Sequence, residues 1–251
     1  MLFDILSTEK NAEILNDFLQ RGKPEFYYAL KNFLPSLPEP QVFSHLSIKQ
    51  STDILVNAIN NQKNIDKEVF KDSIKKYQSE VTLAIYEDIA NILSSLFKCE
   101  LNSIIKVYLA YIPISPRYTS SCSIITFPKQ KYFTEMFLHE LVHFFTYRKL
   151  ANRYGAIDDS YLSEFWILEE TIIEPVLKNK KIQKYLRLPM GSYPAFYAIK
   201  IKKVPLMEKV NHLYLKSKNM SVFLDSVLEI IRENYKDILN QYRKYEYLNN
   251  N

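Results

Sequence analysis

The sequence predicts an α+β fold that is mainly helical. Only three of the 251 residues are glycine, which favours helices over tight turns, because glycine is the residue that most readily adopts left-handed turn conformations. Apolar residues recur at steps of three and four along most of the chain, which is the spacing of an amphipathic helix. Two short segments instead carry the β-branched and aromatic residues typical of strands. With 47% apolar and 24% charged residues, the chain has the composition of a globular protein with a substantial core.

Helices are expected along most of the chain. The predicted ranges, in order, are 7–20, 24–33, 52–60, 66–97, 132–150, 162–178, 204–217 and 221–243. The longest has apolar residues from Val69 to Leu96 at helical spacing, which predicts one continuous amphipathic helix. Pro35, Pro38 and Pro40 stop the second helix, because proline has no backbone donor and a fixed φ. This proline cluster is the best candidate for a linker.

Residues 103–112 and 122–127 are predicted to be strands, with a loop containing Pro113 and Pro116 between them. A length of 251 residues fits one large domain or two small ones, and we predict a single domain over 1–251. Its first part, 1–100, is mostly helical. Its middle part, 101–178, contains the strands and two helices, and its last part, 179–251, is helical.

The composition argues against several classes of partner. The net charge of +5 is mild and the basic residues are scattered among acidic ones, so nucleic-acid binding is not predicted. No apolar run approaches the ~18 residues of a membrane span, and Asp4 stands where a signal peptide would have basic residues. We therefore expect a cytoplasmic protein, although export without a cleaved signal would leave the same sequence features. Cys99 and Cys122 are too few for a disulfide scaffold and are expected to be small buried hydrophobic residues.

Residues 139–143 read His-Glu-Leu-Val-His, an H-E-x-x-H motif inside the predicted helix 132–150. Because residues i and i+4 share one face of a helix, His139 and His143 can bind the same zinc ion. Glu140 lies about 100° further round the helix and faces a metal-bound water instead of the metal. The alternative interpretation is a pair of core histidines that flank a glutamate by chance. It is disfavoured because two of the four histidines of the chain fall in this pentapeptide.

A catalytic zinc site usually has three protein ligands and one open position, so a third ligand is expected. Residues 164–175, on the next predicted helix, contain the glutamates Glu164, Glu169, Glu170 and Glu174. Glu170 is the predicted ligand and Glu169 is the alternative. Glu174, one turn after Glu170, is expected to accept a hydrogen bond from a ligand histidine. If the zinc hypothesis is wrong, these glutamates form a solvated helix face.

Residues 139–143 and 166–174 together resemble the zincin metallopeptidases that use a glutamate as third ligand, the gluzincins. Residues 170–174, Glu-Thr-Ile-Ile-Glu, are similar to the Glu-Gly-Leu-Ala-Glu type of segment that carries this ligand, with Thr171 in place of the family glycine. An alignment keyed on the tryptophan of this segment favours Glu169 instead of Glu170. The resemblance covers only the part of the chain from the second predicted strand to the third-ligand helix. No histidine follows the motif closely, which disfavours the metzincins.

The resemblance implies a zincin-like fold, in which a small sheet packs on the helix that carries the motif, and a zinc-dependent metallopeptidase as the function. In this class one Zn²⁺ polarises the scissile carbonyl, and Glu140 activates a zinc-bound water and passes its proton to the leaving amine. The substrate is a peptide or protein, and strand 122–127 is expected to be an edge strand along which it lies. Tyr193, Tyr197 and His212 are the candidates for a further donor to the oxyanion.

Two other functions are compatible with the sequence. The protein could keep the zincin fold and its metal as a binding or regulatory protein without proteolysis. Alternatively, the motif is accidental and the protein is a helical interaction module. Within the peptidase hypothesis, an endopeptidase is favoured over an aminopeptidase, because the chain has no Gly-x-Met-Glu-Asn-like segment of the kind that anchors a substrate amino terminus. The sequence leaves the oligomeric state open.

Overall fold

The computed structural model describes residues 1–20, 30–43, 45–62, 67–101, 104–111, 117–119, 123–158 and 160–249. Within these ranges the protein is mainly helical with a small sheet, which confirms the predicted α+β class. The chain divides into two compact units, residues 1–80 with 104–131 and residues 81–103 with 132–251. That the two units fold as one domain stays a prediction.

The first unit contains a four-stranded sheet with the order β1-β2-β4-β3. Its strands are β1 (Leu2–Ile5), β2 (Lys106–Leu109), β3 (Arg117–Thr119) and β4 (Ser123–Thr126). The first three strands in this order are parallel, whereas β3 is antiparallel to β4. Both predicted strands are therefore present and shorter than expected, and Cys122 lies outside the described residues.

The expectation that strand 122–127 is an edge strand is wrong. β4 pairs with β2 on one side and with β3 on the other. β3 comes from the segment that was expected to be a loop, and its three residues are too few to show an alternating pattern. β1 was also not predicted, because four residues next to a helix start carry little periodic signal. It pairs in parallel with β2, about a hundred residues later in the chain.

The helices of the first unit are α1 (Thr8–Gln20), α2 (Pro40–Phe43), α3 (Ile48–Asn60) and α4 (Lys67–Glu80), and residues 30–33 are also helical. The beginning of the predicted helix 24–33 lies outside the described residues. α3 starts earlier than expected, because Ser47 and Gln50 form a capping box at its N-terminus. The proline cluster lies inside this unit, where its last member begins α2, so it does not link the two units.

The prediction of one helix over 66–97 is wrong, because the chain forms α4 and then α5 (Leu83–Phe97). Thr82 is in an extended conformation, and its side chain accepts a hydrogen bond from the backbone N–H of Ile85. This N-cap starts a new helix where the apolar spacing alone suggested continuity. α4 belongs to the first unit and α5 to the second. Cys99, just after α5, is half-buried.

The second unit continues with α6 (Phe133–Tyr154), α7 (Glu164–Leu177), α8 (Lys180–Gln183), α9 (Pro194–Ala198), α10 (Leu206–Lys216) and α11 (Met220–Asn249), and a short hairpin of β5 (Lys200–Ile201) and β6 (Val204–Pro205). The helices α6, α7, α10 and α11 confirm the four helices that were predicted for this part of the chain. We call α6 the motif helix and α7 the ligand helix. The ligand helix packs against the motif helix, α10 and α11, while α5 packs against the motif helix.

Buried apolar side chains hold the motif helix and the ligand helix in the core of the second unit. On the motif helix these include Phe137, Leu138, Leu141, Val142 and Phe145. On the ligand helix they include Ile167, Leu168, Ile172, Ile173 and Val176. Ser163 caps the ligand helix, and the helix continues through its proline to Leu177. None of the described helices is both long enough and apolar enough to cross a membrane.

Candidate metal centre

The two histidines of the motif meet on one face of the motif helix. Their Nε2 atoms lie 2.9 Å apart, and their rings are inclined by 69° to each other. Because His139 and His143 are four residues apart, they stand on adjacent turns with their side chains on the same side. This is the arrangement that the sequence predicted.

Glu170 brings a carboxylate to the same point from the ligand helix. Its Oε1 lies 3.5 Å from Nε2 of His143, and its Oε2 lies 3.8 Å from Nε2 of His139. The next residue, Thr171, satisfies its buried hydroxyl within the helix by donating to the carbonyl of Ile167. The structure thus brings together the two histidines and the acid that the sequence favoured as third ligand.

Glu169, the alternative third ligand, is also buried on the ligand helix. Among the described residues, however, the ligand atoms that converge are those of His139, His143 and Glu170, all within 4.8 Å of one another. Successive residues of a helix point about 100° apart, so Glu169 and Glu170 cannot both face the histidines in the same way.

The three residues fit a divalent metal ion such as zinc. Two atoms that each lie about 2.0–2.1 Å from a tetrahedral zinc are roughly 3.3 Å apart, and the separations of 2.9, 3.5 and 3.8 Å bracket that value. Two imidazoles and a carboxylate are also a ligand set found in catalytic zinc sites. Within the described part of the chain, Oε2 of Glu170 is buried without a hydrogen-bond partner. Such an atom is costly in a protein interior unless a cation binds it.

The histidines are held in the form that binds metal. Burial lowers the pKa of His139 to about 4. Burial and the neighbouring His139 lower the pKa of His143 well below its usual value. Both imidazoles are therefore neutral at neutral pH, and a neutral imidazole has the free lone pair that a metal ion requires.

The pKa of Glu170 is shifted in the opposite direction to the pKa values of the histidines. Burial, together with the charges of Glu140 and Glu169, raises the pKa of Glu170 well above its usual value. Three acidic residues in one buried region repel one another, and a divalent cation would relieve that repulsion. The electrostatics and the geometry therefore both fit a site that could hold a cation.

No protein family model, no curated protein and no solved structure matches this chain. The candidate metal centre is therefore supported by the geometry of its own residues.

Glu140, the residue between the two histidines in the motif, is also buried. It lies near enough to act electrostatically on Glu170 and on the phenol of Tyr193. It is not one of the three converging ligand residues. That Glu140 faces a metal-bound water stays a prediction.

Glu174 does not have the role that the sequence suggested. Instead of binding a ligand histidine, its carboxylate accepts hydrogen bonds from Lys178, Tyr197 and Asn211. Burial alone would raise the pKa of Glu174, but these partners outweigh burial and lower it. Glu174 therefore joins the ligand helix to α9 and α10, one turn away from the metal centre.

The three candidates for an oxyanion donor are in different surroundings. The ring of Tyr193 lies 5.7 Å from that of Trp166 on the ligand helix, and burial and the charges of Glu170 and Glu140 raise the pKa of its phenol. Tyr197 is engaged by Glu174 and by the backbone N–H of Ser192. His212 is exposed on α10, and no described contact joins it to the metal centre.

A second group of residues beside the candidate metal centre was not predicted from the sequence. Tyr242 and Glu246, on α11, come together with Trp166 and Tyr161 from the region of the ligand helix. Tyr242 and Glu246 lie more than seventy residues after Tyr161 and Trp166 in the sequence. The only local signal is that Tyr242 and Glu246 are four residues apart and so share a helix face.

Proposed function

We propose that this protein is a zinc-dependent metallopeptidase of the zincin class that hydrolyses peptide bonds. The observation that carries the proposal is the convergence of His139, His143 and Glu170, with Glu140 buried beside them and not among the ligands. A purely structural zinc site usually has four protein ligands, whereas three leave a position open for a reactant.

The residues of this centre would hold one zinc ion through Nε2 of each histidine and the carboxylate of Glu170. A bound zinc ion supplies Lewis acidity, which polarises a carbonyl and makes water easier to deprotonate near neutral pH. Glu140 accepts the proton on its carboxylate and transfers it to the nitrogen of the leaving amine. Burial of Glu140 raises the effective strength of these charge interactions by excluding water.

Tyr193 is the best candidate for the donor that stabilises the oxyanion. A tyrosine phenol is protonated at neutral pH and can donate a hydrogen bond to a developing negative charge. Tyr197 is a weaker candidate, because its hydroxyl already donates to Glu174.

The zincin-like fold is part of the same proposal. The motif helix follows directly after β4 in the chain, and the ligand helix is the next long helix. The small sheet has both parallel and antiparallel pairs. This succession of strand, motif helix and ligand helix supports the zincin class. The proposed substrate is a peptide or a protein.

The test combines metal analysis with hydrolysis of a quenched fluorescent casein and an internally quenched peptide library by the purified full chain. We expect about one zinc per chain. Glu140→Gln should keep the zinc and lose hydrolysis by roughly 100-fold or more, because it removes the general base and leaves the ligands in place. The matched control is Glu135→Gln, on the same helix and equally buried, where Gln can still accept the hydrogen bond from the backbone of Arg187.

The outcomes separate the three hypotheses. Unchanged turnover in Glu140→Gln would contradict the assigned role of this residue. Stoichiometric zinc without cleavage of either probe would favour a binding or regulatory protein. Zinc that is absent, or that survives in His143→Ala, would show that the motif is accidental.

A further inference from the structure

Beside the metal centre lies a group of four aromatic residues and one acid, which we call the aromatic–acidic cluster: Tyr161, Trp166, Tyr193, Tyr242 and Glu246. Trp166 is at its centre. The centroid of its ring system lies 4.8 Å from the ring of Tyr161 and 5.7 Å from that of Tyr193. The ring of Tyr242 lies 6.0 Å away and is nearly perpendicular, at 89°. These are edge-to-face arrangements, which aromatic pairs prefer to a face-to-face stack.

Hydrogen bonds fix the polar part of the cluster. The hydroxyl of Tyr161 donates to Oε1 of Glu246 at 2.8 Å and lies 3.2 Å from the hydroxyl of Tyr242. An ionised carboxylate has about four acceptor positions, so Glu246 can accept hydrogen bonds from more than one donor at a time. The cluster therefore offers a positioned carboxylate and several phenol oxygens at one place.

The cluster is next to the metal centre. Trp166 precedes Glu170 by four residues on the ligand helix, which places their Cβ atoms about 5–6 Å apart on the same helix face. The charge of Glu170 also acts on the phenols of Tyr193 and Tyr242. A substrate that reaches the metal centre would therefore pass close to the cluster.

The charges that act on the cluster are negative. Besides burial and the neighbouring phenols, the groups that raise the pKa of Tyr193 are Glu170, Glu140 and Glu246. A bound zinc ion would offset the carboxylates of the metal centre, while Glu246 would keep its charge at the cluster. Tyr193 is 41% exposed, so one side of the cluster is open to solvent.

We propose that the aromatic–acidic cluster is a substrate subsite for a positively charged group, an ammonium or a guanidinium. A cation over the face of tryptophan or tyrosine is attracted by the ring quadrupole, and a carboxylate at the edge adds a charge-assisted hydrogen bond. The cation comes either from a lysine or arginine side chain or from the amino terminus of a peptide. This inference rests on the proposed peptidase function and specifies its substrate class.

The chain contains its own reporter for this subsite, because Trp166 is its only tryptophan. Tryptophan fluorescence of the full chain should be titrated with three probes: N-acetyl-lysine amide, norleucine amide and N-acetyl-norleucine amide. The first carries only a side-chain cation, the second only an α-ammonium and the third no charge. We expect a saturable change with one or both charged probes and a much weaker one with the neutral probe. The charged probe that binds more tightly identifies the source of the cation.

Glu246→Gln should raise the dissociation constant of the charged probe about tenfold and leave that of the neutral probe unchanged. Gln can still accept the hydrogen bond of Tyr161, so this variant conserves the packing. The matched control is Glu233→Gln, an exposed position on the same helix with the same change of charge. Equal responses to charged and neutral probes, no saturable response, or an unchanged affinity in Glu246→Gln would each overturn the inference.

The titration is carried out on the zinc-loaded chain and on metal-free Glu170→Gln, so that the charge of Glu170 does not account for binding of the cation. It requires no hydrolysis. Hydrolysis without cation selectivity would leave the proposed function standing and remove the subsite. Cation binding that depends on Glu246, without zinc or hydrolysis, would support the subsite and contradict the peptidase function.

Discussion

Two successive turns of the ligand helix show how different the surroundings of equally buried carboxylates can be. Glu170 and Glu174 are four residues apart, and each is 6% exposed. Glu174 accepts hydrogen bonds from a lysine, a tyrosine and an asparagine, and its pKa is lowered. Glu170 faces two imidazoles and two like charges, and its pKa is raised.

Burial of a carboxylate therefore does not by itself indicate a metal ligand. A buried carboxylate normally has hydrogen-bond donors or cationic partners, and Glu174 has both. Glu170 has neither for its Oε2 within the described residues, and it lies beside the two motif histidines. The hydrogen bonds of Glu174 stabilise the fold, whereas the proposed metal ion would supply the cationic partner of Glu170. This difference in role can be tested by making the same substitution at both positions.

The largest expected effect is on zinc affinity. Glu170→Gln should weaken zinc binding by more than the roughly 10–100-fold that is typical of residues behind the ligands, because it replaces a charged ligand with a neutral amide. Glu174→Gln is the matched control and should keep the affinity within about tenfold. Competition with a fluorescent zinc chelator measures both. Similar losses in the two variants would contradict the distinction between the two turns.

The second effect is on stability. Glu174→Gln should lower the free energy of unfolding of the metal-free protein by about 2 kcal/mol at pH 7, because hydrogen bonds to a buried charged group are replaced by neutral ones. Most of this comes from Tyr197 and Asn211, since the lysine partner is largely exposed. Urea unfolding followed by circular dichroism is the measurement. The loss should disappear in acid, because a carboxylate with a lowered pKa stabilises the fold above its usual pKa and loses that contribution as the pH falls through the lowered value.

The smallest expected effect is an increase in the stability of the metal-free protein. A carboxyl group with a raised pKa contributes fully to stability below its usual pKa of 4.5 and loses that contribution as the pH rises. Metal-free Glu170→Gln should therefore be more stable than the metal-free wild type at pH 7, by about 1 kcal/mol. The difference should grow as the pH rises from 4.5. Thermal unfolding in a chelator at several pH values tests this, and a variant less stable than the wild type at pH 7 would refute it.

The helices of the second unit could be predicted because each has a long apolar face with regular spacing. The break between α4 and α5 was missed, because the apolar spacing runs through it and the evidence for it is the single N-cap of Thr82. The edge position expected for β4 was wrong for a related reason. Sheet order depends on pairing between distant segments, and a three-residue strand such as β3 has no detectable pattern of its own.

Most of the candidate metal centre could be predicted, because the two histidines follow helix geometry. The i, i+4 spacing fixes His139 relative to His143, and the sequence already favoured Glu170, the acid that the structure brings beside them. The partners of Glu174 could not be predicted, because Tyr197 and Asn211 belong to later elements whose packing has no sequence signature. For the same reason the aromatic–acidic cluster was visible only in the structure.

The parallel pairing of β1 with β2 has a consequence for the order in which the chain folds. β1 cannot complete its hydrogen bonds until residues about a hundred positions later have been synthesised. α5 is made in between, yet it belongs to the second unit, most of which follows later still. Neither unit is one continuous segment, so each depends on contacts that are distant in sequence, which slows folding relative to a helical protein with local contacts. Nascent chains of this protein would therefore remain dependent on protection from aggregation until most of the sequence has left the ribosome.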